Sequence, residues 1–131
     1  MPVERRAINP WQWQDQFGFV QANEVKGIER TLICSGQTAL NAEGEPQHPG
    51  DMRAQMALAL DNLETVLRAA GFDWSNVVRL TYYTTDMDAF FGALDLLKGR
   101  LGETQVTNTL LGVSRLALPE LLIEIEAMAV A

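Results

Sequence analysis

The feature that most constrains this chain is an apolar stripe that begins after a loop rich in Gly and Pro. Met52, Met56, Leu60, Leu63, Leu67 and Ala70 follow at steps of four, four, three, four and three, the repeat of one helix face. Asp51 stands where an N-cap belongs and Gly71 where a C′ residue belongs, so both ends carry stop chemistry. The period then changes. Residues 77–85 are rich in β-branched and aromatic side chains and read as a strand. Val78, Leu80, Tyr82 and Thr84 share one face of it, with Val77, Arg79, Thr81 and Tyr83 on the other.

The rest of the chain extends this pattern. Residues 17–22 and 31–34 read as strands joined through a turn at Glu24-Val25-Lys26-Gly27, a hairpin that a short strand at 5–8 can join. A second helix is expected over 87–101, capped by Asp86, with Phe90, Leu94, Leu97 and Leu101 in its stripe. Strands are expected at 109–116 and 122–130, hinged at Ala117-Leu118-Pro119. The Gly- and Pro-rich stretch 41–50 is an exposed loop. With 131 residues the chain is expected to form one domain over 1–131. The fold class is α+β, a mixed β-sheet with two helices on one face. The other sheet face lacks cover and would carry part of the 78–84 strand, which predicts a homo-oligomer.

Composition narrows the function classes. Ten Lys plus Arg against seventeen Asp plus Glu give a net charge of −7, which opposes binding to nucleic acid or anionic membranes. No apolar stretch approaches the roughly 20 residues of a membrane span, and no apolar region follows the charged N-terminus, so no secretion signal is read there. The single cysteine, Cys34, makes no internal disulfide, and a cytoplasmic setting is expected.

Two segments offer chemistry, each beside a plainer alternative. Cys34-Ser35-Gly36-Gln37 ends a strand; it is either a simple turn or a turn whose N–H groups hold a carboxylate or oxyanion. Glu124 and Glu126 share one strand face while Ile123 and Ile125 point to the core; they form either a solvated face or a cleft that orients water. The remaining residues read as structure. His48, the only histidine, belongs to the surface loop, and no cluster of ligands has metal-binding spacing. Asp86 and Asp88 are helix-capping charges, and Cys34 is a small core residue. Trp11, Trp13, Phe17 and Phe19 either pack the N-terminal segment or line a pocket.

Ser35-Gly36-Gln37, Gly50-Asp51 with Gln55, Leu60-Asp61-Asn62-Leu63 and Ala69-Ala70-Gly71-Phe72 together resemble the Rid (YjgF-type) family of reactive-intermediate deaminases. Val77-Val78-Arg79-Leu80, Tyr83-Thr84-Thr85-Asp86 with Phe90, and Ile123-Glu124-Ile125-Glu126-Ala127 continue the match over nearly the whole chain. The resemblance implies a chorismate-mutase-like fold and a homotrimer with three small-molecule clefts between subunits. It also implies hydrolysis of enamines or imines to a carbonyl compound and ammonia, with no metal or organic cofactor.

Carried over residue by residue, the resemblance assigns water placement to Glu124 and substrate binding to Ser35 and Gly36. The family's cleft aromatic, usually Tyr, falls on Phe19. Its carboxylate-gripping arginine falls on Asn108. Arg115 lies seven residues further on, an odd step that points it to the other side of a regular strand. Losing a charge-assisted arginine contact removes about 1.5–3 kcal/mol, and more in a desolvated cleft, on the order of ten- to several-hundredfold in binding. The expectation is therefore a Rid-type hydrolase with a non-standard substrate. The alternatives are a non-catalytic ligand-binding trimer serving as sensor or partner module, and a ribonuclease or translation inhibitor, which the net charge opposes.

Overall fold

The computed structural model describes residues 3–131. Strand β1 (Glu4–Ile8) is followed by a 3-10 turn (Trp13–Phe17), β2 (Ala22–Lys26), β3 (Thr31–Ile33) and the long helix α1 (Met52–Ala69). Then come β4 (Val77–Thr84), α2 (Met87–Gly92), α3 (Leu94–Leu101), β5 (Thr107–Gly112) and β6 (Ile123–Val130). The main sheet has the order β3-β6-β4-β5, with β4 and β5 parallel and the other pairs antiparallel; β1 and β2 form a separate antiparallel pair. The α+β class with a mixed sheet is as the pattern predicts.

Helix α1 follows its stripe. Met52, Met56, Leu60, Leu63 and Leu67 are buried. The Asp51 carboxylate accepts the Ala54 N–H at 3.0 Å. At the other end Gly71 takes φ +78°, and the Phe72 N–H reaches back to the Leu67 carbonyl at 2.9 Å. Buried Gln55 ties the helix to the last connection: its amide donates to the Glu120 carbonyl at 2.9 Å, and its oxygen accepts the Leu122 N–H at 2.8 Å.

Four expectations need correction. The 17–22 strand is displaced to β2, and it pairs with β1; β3 pairs with β6 instead. Glu24-Val25-Lys26 lies in the strand because the hairpin is exposed and its charges pair across it, Arg6 with Glu24 and Lys26 with Glu4. The 87–101 helix is broken at Ala93 (φ −111°, ψ 8°). There Arg53 donates to the freed Gly92 carbonyl at 3.0 Å while pairing with Asp95, and it is buried Ala93, rather than Leu94, that sits between Phe90 and Leu97 in the core. Finally, β5 ends at Gly112, so strand parity does not govern Arg115; its exposed guanidinium donates to the Leu116 carbonyl.

The sheet alternates as expected, but its apolar half is covered. Leu80, Tyr82, Ile123, Ile125, Ala127 and Ala129 are buried beneath the helices. A register shift after Val77 buries both Val77 and Val78. Among the described residues no helix lies over the opposite face, which carries mainly polar groups: Arg79, Thr81, Tyr83, Glu124 and Glu126. Its exposed apolar side chains come from flanking strands, Ile33 at 76% and Leu111 at 45% exposure. The apolar residues of 78–84 therefore do not supply the expected uncovered patch.

Candidate functional site

Glu124 and Gly36 meet because the chain after β3 keeps running beside β6. The Cys34 N–H donates to the Ala127 carbonyl, and Gln37 exchanges two hydrogen bonds with Ile125, at 2.7 and 2.9 Å. Gly36 thus lies directly over the Glu124 side chain. A Cβ on Gly36 would stand 2.3 Å from Glu124 Oε2 and 2.6 Å from its Cδ, so no other residue fits without moving the carboxylate. Among the described residues the N–H groups of Ser35 and Gly36, between these paired amides, have no hydrogen-bond partner. One carboxylate and two open backbone donors are therefore neighbours.

Glu124 is half-buried, and burial, followed by the charge of Glu126 on the same face, raises its pKa. Glu126 accepts the Tyr83 hydroxyl at 2.6 Å. That hydrogen bond, more than burial, raises the Tyr83 phenol's pKa. Of the two carboxylates, Glu126 is committed to a neighbour, and Glu124 is the one with a carboxylate free for chemistry.

Phe19 and Asn108 meet elsewhere. Both line a cavity of about 250 Å³ between the 3-10 turn, β4, β5 and the α2–α3 pair. Asn108 is in register with Leu80, which puts it on the helix-covered side of the sheet. Glu124 is in register with Tyr83, on the opposite side. Within one chain, then, the structure brings Gly36 to Glu124 and Phe19 to Asn108, with exposed Ser35 beside the first pair; it does not bring the two pairs together.

The remaining candidates fall out as structure. His48 is exposed in the loop, Asp86 caps α2 by accepting the Ala89 N–H at 3.1 Å, and Cys34 is buried with its thiol's pKa raised by desolvation. Trp11 and Trp13 are exposed, and Trp13 meets Phe19 edge-on at 5.8 Å. The reading of the sequence missed the cavity walls from Tyr82, Phe90 and Phe91. Their signal was the adjacent Phe90-Phe91 pair, which cannot both enter one helix's core stripe.

Comparison with known proteins agrees with this architecture. A family model described as Endoribonuclease L-PSP matches residues 16–131. The chain belongs to the Rid (YjgF-type) family. It is similar to a RutC family protein of Pyrococcus horikoshii, 32% identical over 98 residues, 75% of this chain and 77% of that protein. It is also 38% identical over 63 residues to the 2-iminobutanoate/2-iminopropanoate deaminase of Mus musculus, 48% of this chain and 47% of that enzyme. Among solved structures, a Rid family protein of unknown function from Yersinia pestis, YyfB, superposes with a TM-score of 0.87 at 42% identity, covering 97% of this chain and 98% of that one. Some relatives of this Rid protein are thus imine deaminases.

Proposed function

We propose that this protein hydrolyses the C=N bond of a small imine, or of the enamine that tautomerises to it, in a homotrimer in the cytoplasm. Its substrate lacks the carboxylate for which Asn108 offers no cation. The observation that carries this reading is the close approach of Glu124 to Gly36 beside two unpaired amides. Each turnover consumes one imine and one water and yields one carbonyl compound and one ammonia. Glu124 accepts a proton from water as the water oxygen bonds to the imine carbon, and the C=N π pair moves to nitrogen. Protonated nitrogen then leaves as ammonia with the C–N pair, while the carbinol loses its proton and C=O forms. A half-buried carboxylate with a raised pKa is a stronger base than an exposed one, and the Ser35 and Gly36 amides can stabilise charge developing on the carbinolamine oxygen, which comes from water, as it loses its proton.

The two halves of the site lie on opposite faces of the sheet in one chain. A second copy therefore sets its Phe19–Asn108 cavity against the Ser35–Gly36–Glu124 edge of the first. The family resemblance and the helix-free sheet face, with Ile33 exposed on it, support such an arrangement. A ribonuclease reading finds little support: Arg6, Lys26, Arg53, Arg68 and Arg100 are already paired with carboxylates, on a chain of net charge −7.

The test is ammonia release from freshly generated imines. Glu124→Gln should lower turnover by about 10²–10⁴-fold, the usual contribution of a general base, with the fold and assembly retained. Equal turnover by wild type and Glu124→Gln would overturn the reading. Ligand binding without turnover in the wild type would leave a binding module.

A further inference from the structure

The cavity that holds Phe19 and Asn108 is walled mainly by rings, from Phe17, Phe19, Tyr82, Phe90 and Phe91, and none of its lining residues carries a charge. Phe90 packs against Tyr82 at 5.5 Å between centroids and against Phe91 edge-on at 5.7 Å. Phe91 remains half-exposed and meets Phe17 at 6.4 Å, so the rings run from the cavity toward solvent. At about 30 Å³ of liquid volume per water, 250 Å³ corresponds to roughly eight waters, the bulk of a compact ligand with one ring.

Tyr82 is 1% exposed, and its hydroxyl has no satisfactory hydrogen-bond partner. The Asn108 carboxamide interacts with it, but in a geometry that leaves the hydroxyl unsatisfied. Burial raises the phenol's pKa, so the group stays neutral throughout the physiological range. A buried hydroxyl without a partner is unfavourable, but this one is closed to the cavity as well as to solvent, which leaves the Asn108 carboxamide as the amide that a ligand in the cavity can meet. A carboxylate entering this place would lose its hydration among rings, with no cation to replace it. A neutral ligand with one polar atom would lose far less and could bond the Asn108 carboxamide.

We infer that the cavity takes a neutral imine, and the carbonyl product derived from it, bearing an aromatic or compact apolar group and no carboxylate, its polar atom meeting the Asn108 carboxamide. This rests on the hydrolase reading for the reaction but on the cavity alone for the ligand class. Imines of this kind arise when a primary arylalkyl amine loses two electrons and two protons, so an amine-oxidising reaction would supply the substrate.

Acetophenone, benzoate and 2-oxobutanoate serve as probes of binding to the intact protein. The imine of acetophenone, released from 1-phenylethylamine by an amine oxidase, serves as the probe of turnover. Acetophenone should bind more tightly than either anion. Asn108→Leu, which keeps the bulk and removes the amide, should weaken acetophenone by about 3- to 10-fold, the span of one hydrogen bond, while leaving the melting temperature unchanged or higher because an apolar side chain replaces an amide among rings. Tighter binding of benzoate or 2-oxobutanoate, or acetophenone binding indifferent to Asn108→Leu, would overturn the inference. Hydrolysis of 2-iminobutanoate without acetophenone binding would also overturn it and leave the hydrolase standing. Acetophenone binding without hydrolysis of its imine would support the ligand class and remove the hydrolase.

Discussion

The two faces of the β3-β6-β4-β5 sheet are built from the same strands by alternation, yet they have different fates. On one face, Leu80, Tyr82, Ile123 and Ile125 disappear beneath α1, α2 and α3. On the other, Arg79, Tyr83, Glu124 and Glu126 stand without a helix above them, and Glu126 finds its partner in Tyr83 of the adjacent strand. The covered face does the folding, and the aromatic cavity opens where that packing is incomplete. The helix-free face contributes less to the core, so carboxylates are tolerated there, and Glu124, which has no such partner among the described residues, is left available for chemistry.

If that division is right, the largest stability effects belong to the covered face. Leu80→Ala, or Leu60→Ala in α1, should cost about 2–5 kcal/mol through cavity formation, measured by denaturant unfolding. A loss below about 0.5 kcal/mol at either site would mean that the helices do not close this face. On the other face the large effect should be on chemistry. Gly36→Ala puts a methyl where the Glu124 carboxylate stands, and a carboxylate displaced by about 1 Å should lower turnover on the order of 100-fold. Unchanged turnover with Gly36→Ala would separate Glu124 from the reaction.

The same contrast shows what was legible in the sequence. Alternation in 123–126 set Glu124 and Glu126 opposite Ile123 and Ile125, and the structure agrees, since a period of two leaves no choice of face once the isoleucines are buried. Helix α1 was equally legible, because stripe and both caps coincide. Partnership between distant strands was not. Nothing in 31–33 marks β6, far along the chain, as its neighbour, and the charges of β2 imitate a turn because its ion pairs lie across a hairpin not visible in one segment. The break at Ala93 was hidden for a similar reason, since the Gly92 carbonyl that it frees is satisfied by Arg53 from another helix. Asn108 is legible as a residue without charge, but its partnership with Phe19 and Tyr82 depends on the parallel register of β4 and β5.

A smaller effect tests whether the helix-free face is covered by a second copy. Ile33 is 76% exposed and paired only through its backbone to β6. In an isolated chain, Ile33→Asp should change stability by no more than about 0.5 kcal/mol. In a trimer that buries this face, the new carboxylate is desolvated, and sedimentation should show the mass falling from three chains toward one. A wild-type monomer at micromolar concentration would end the intersubunit site outright.

The smallest expected effect is the pH dependence carried by Glu124. Burial, then the charge of Glu126, raises its folded pKa above the unfolded value. Below the unfolded pKa both states are protonated there, and the contribution to stability is fully present. As pH rises through the window between the two values, the unfolded chain ionises first and the folded protein holds its proton, so that contribution is lost. The stability of the wild type relative to Glu124→Gln should therefore fall with rising pH across this window and level off above it. The same shift should place the acid limb of turnover above the range of an exposed carboxylate, because the base works only when ionised. Denaturant unfolding of both proteins from about pH 4 upward, near the ordinary carboxylate range, reads the first effect, and a pH–rate profile reads the second. Parallel stability curves would show that Glu124 has the same environment folded and unfolded, and the helix-free face would then be an ordinary solvated surface.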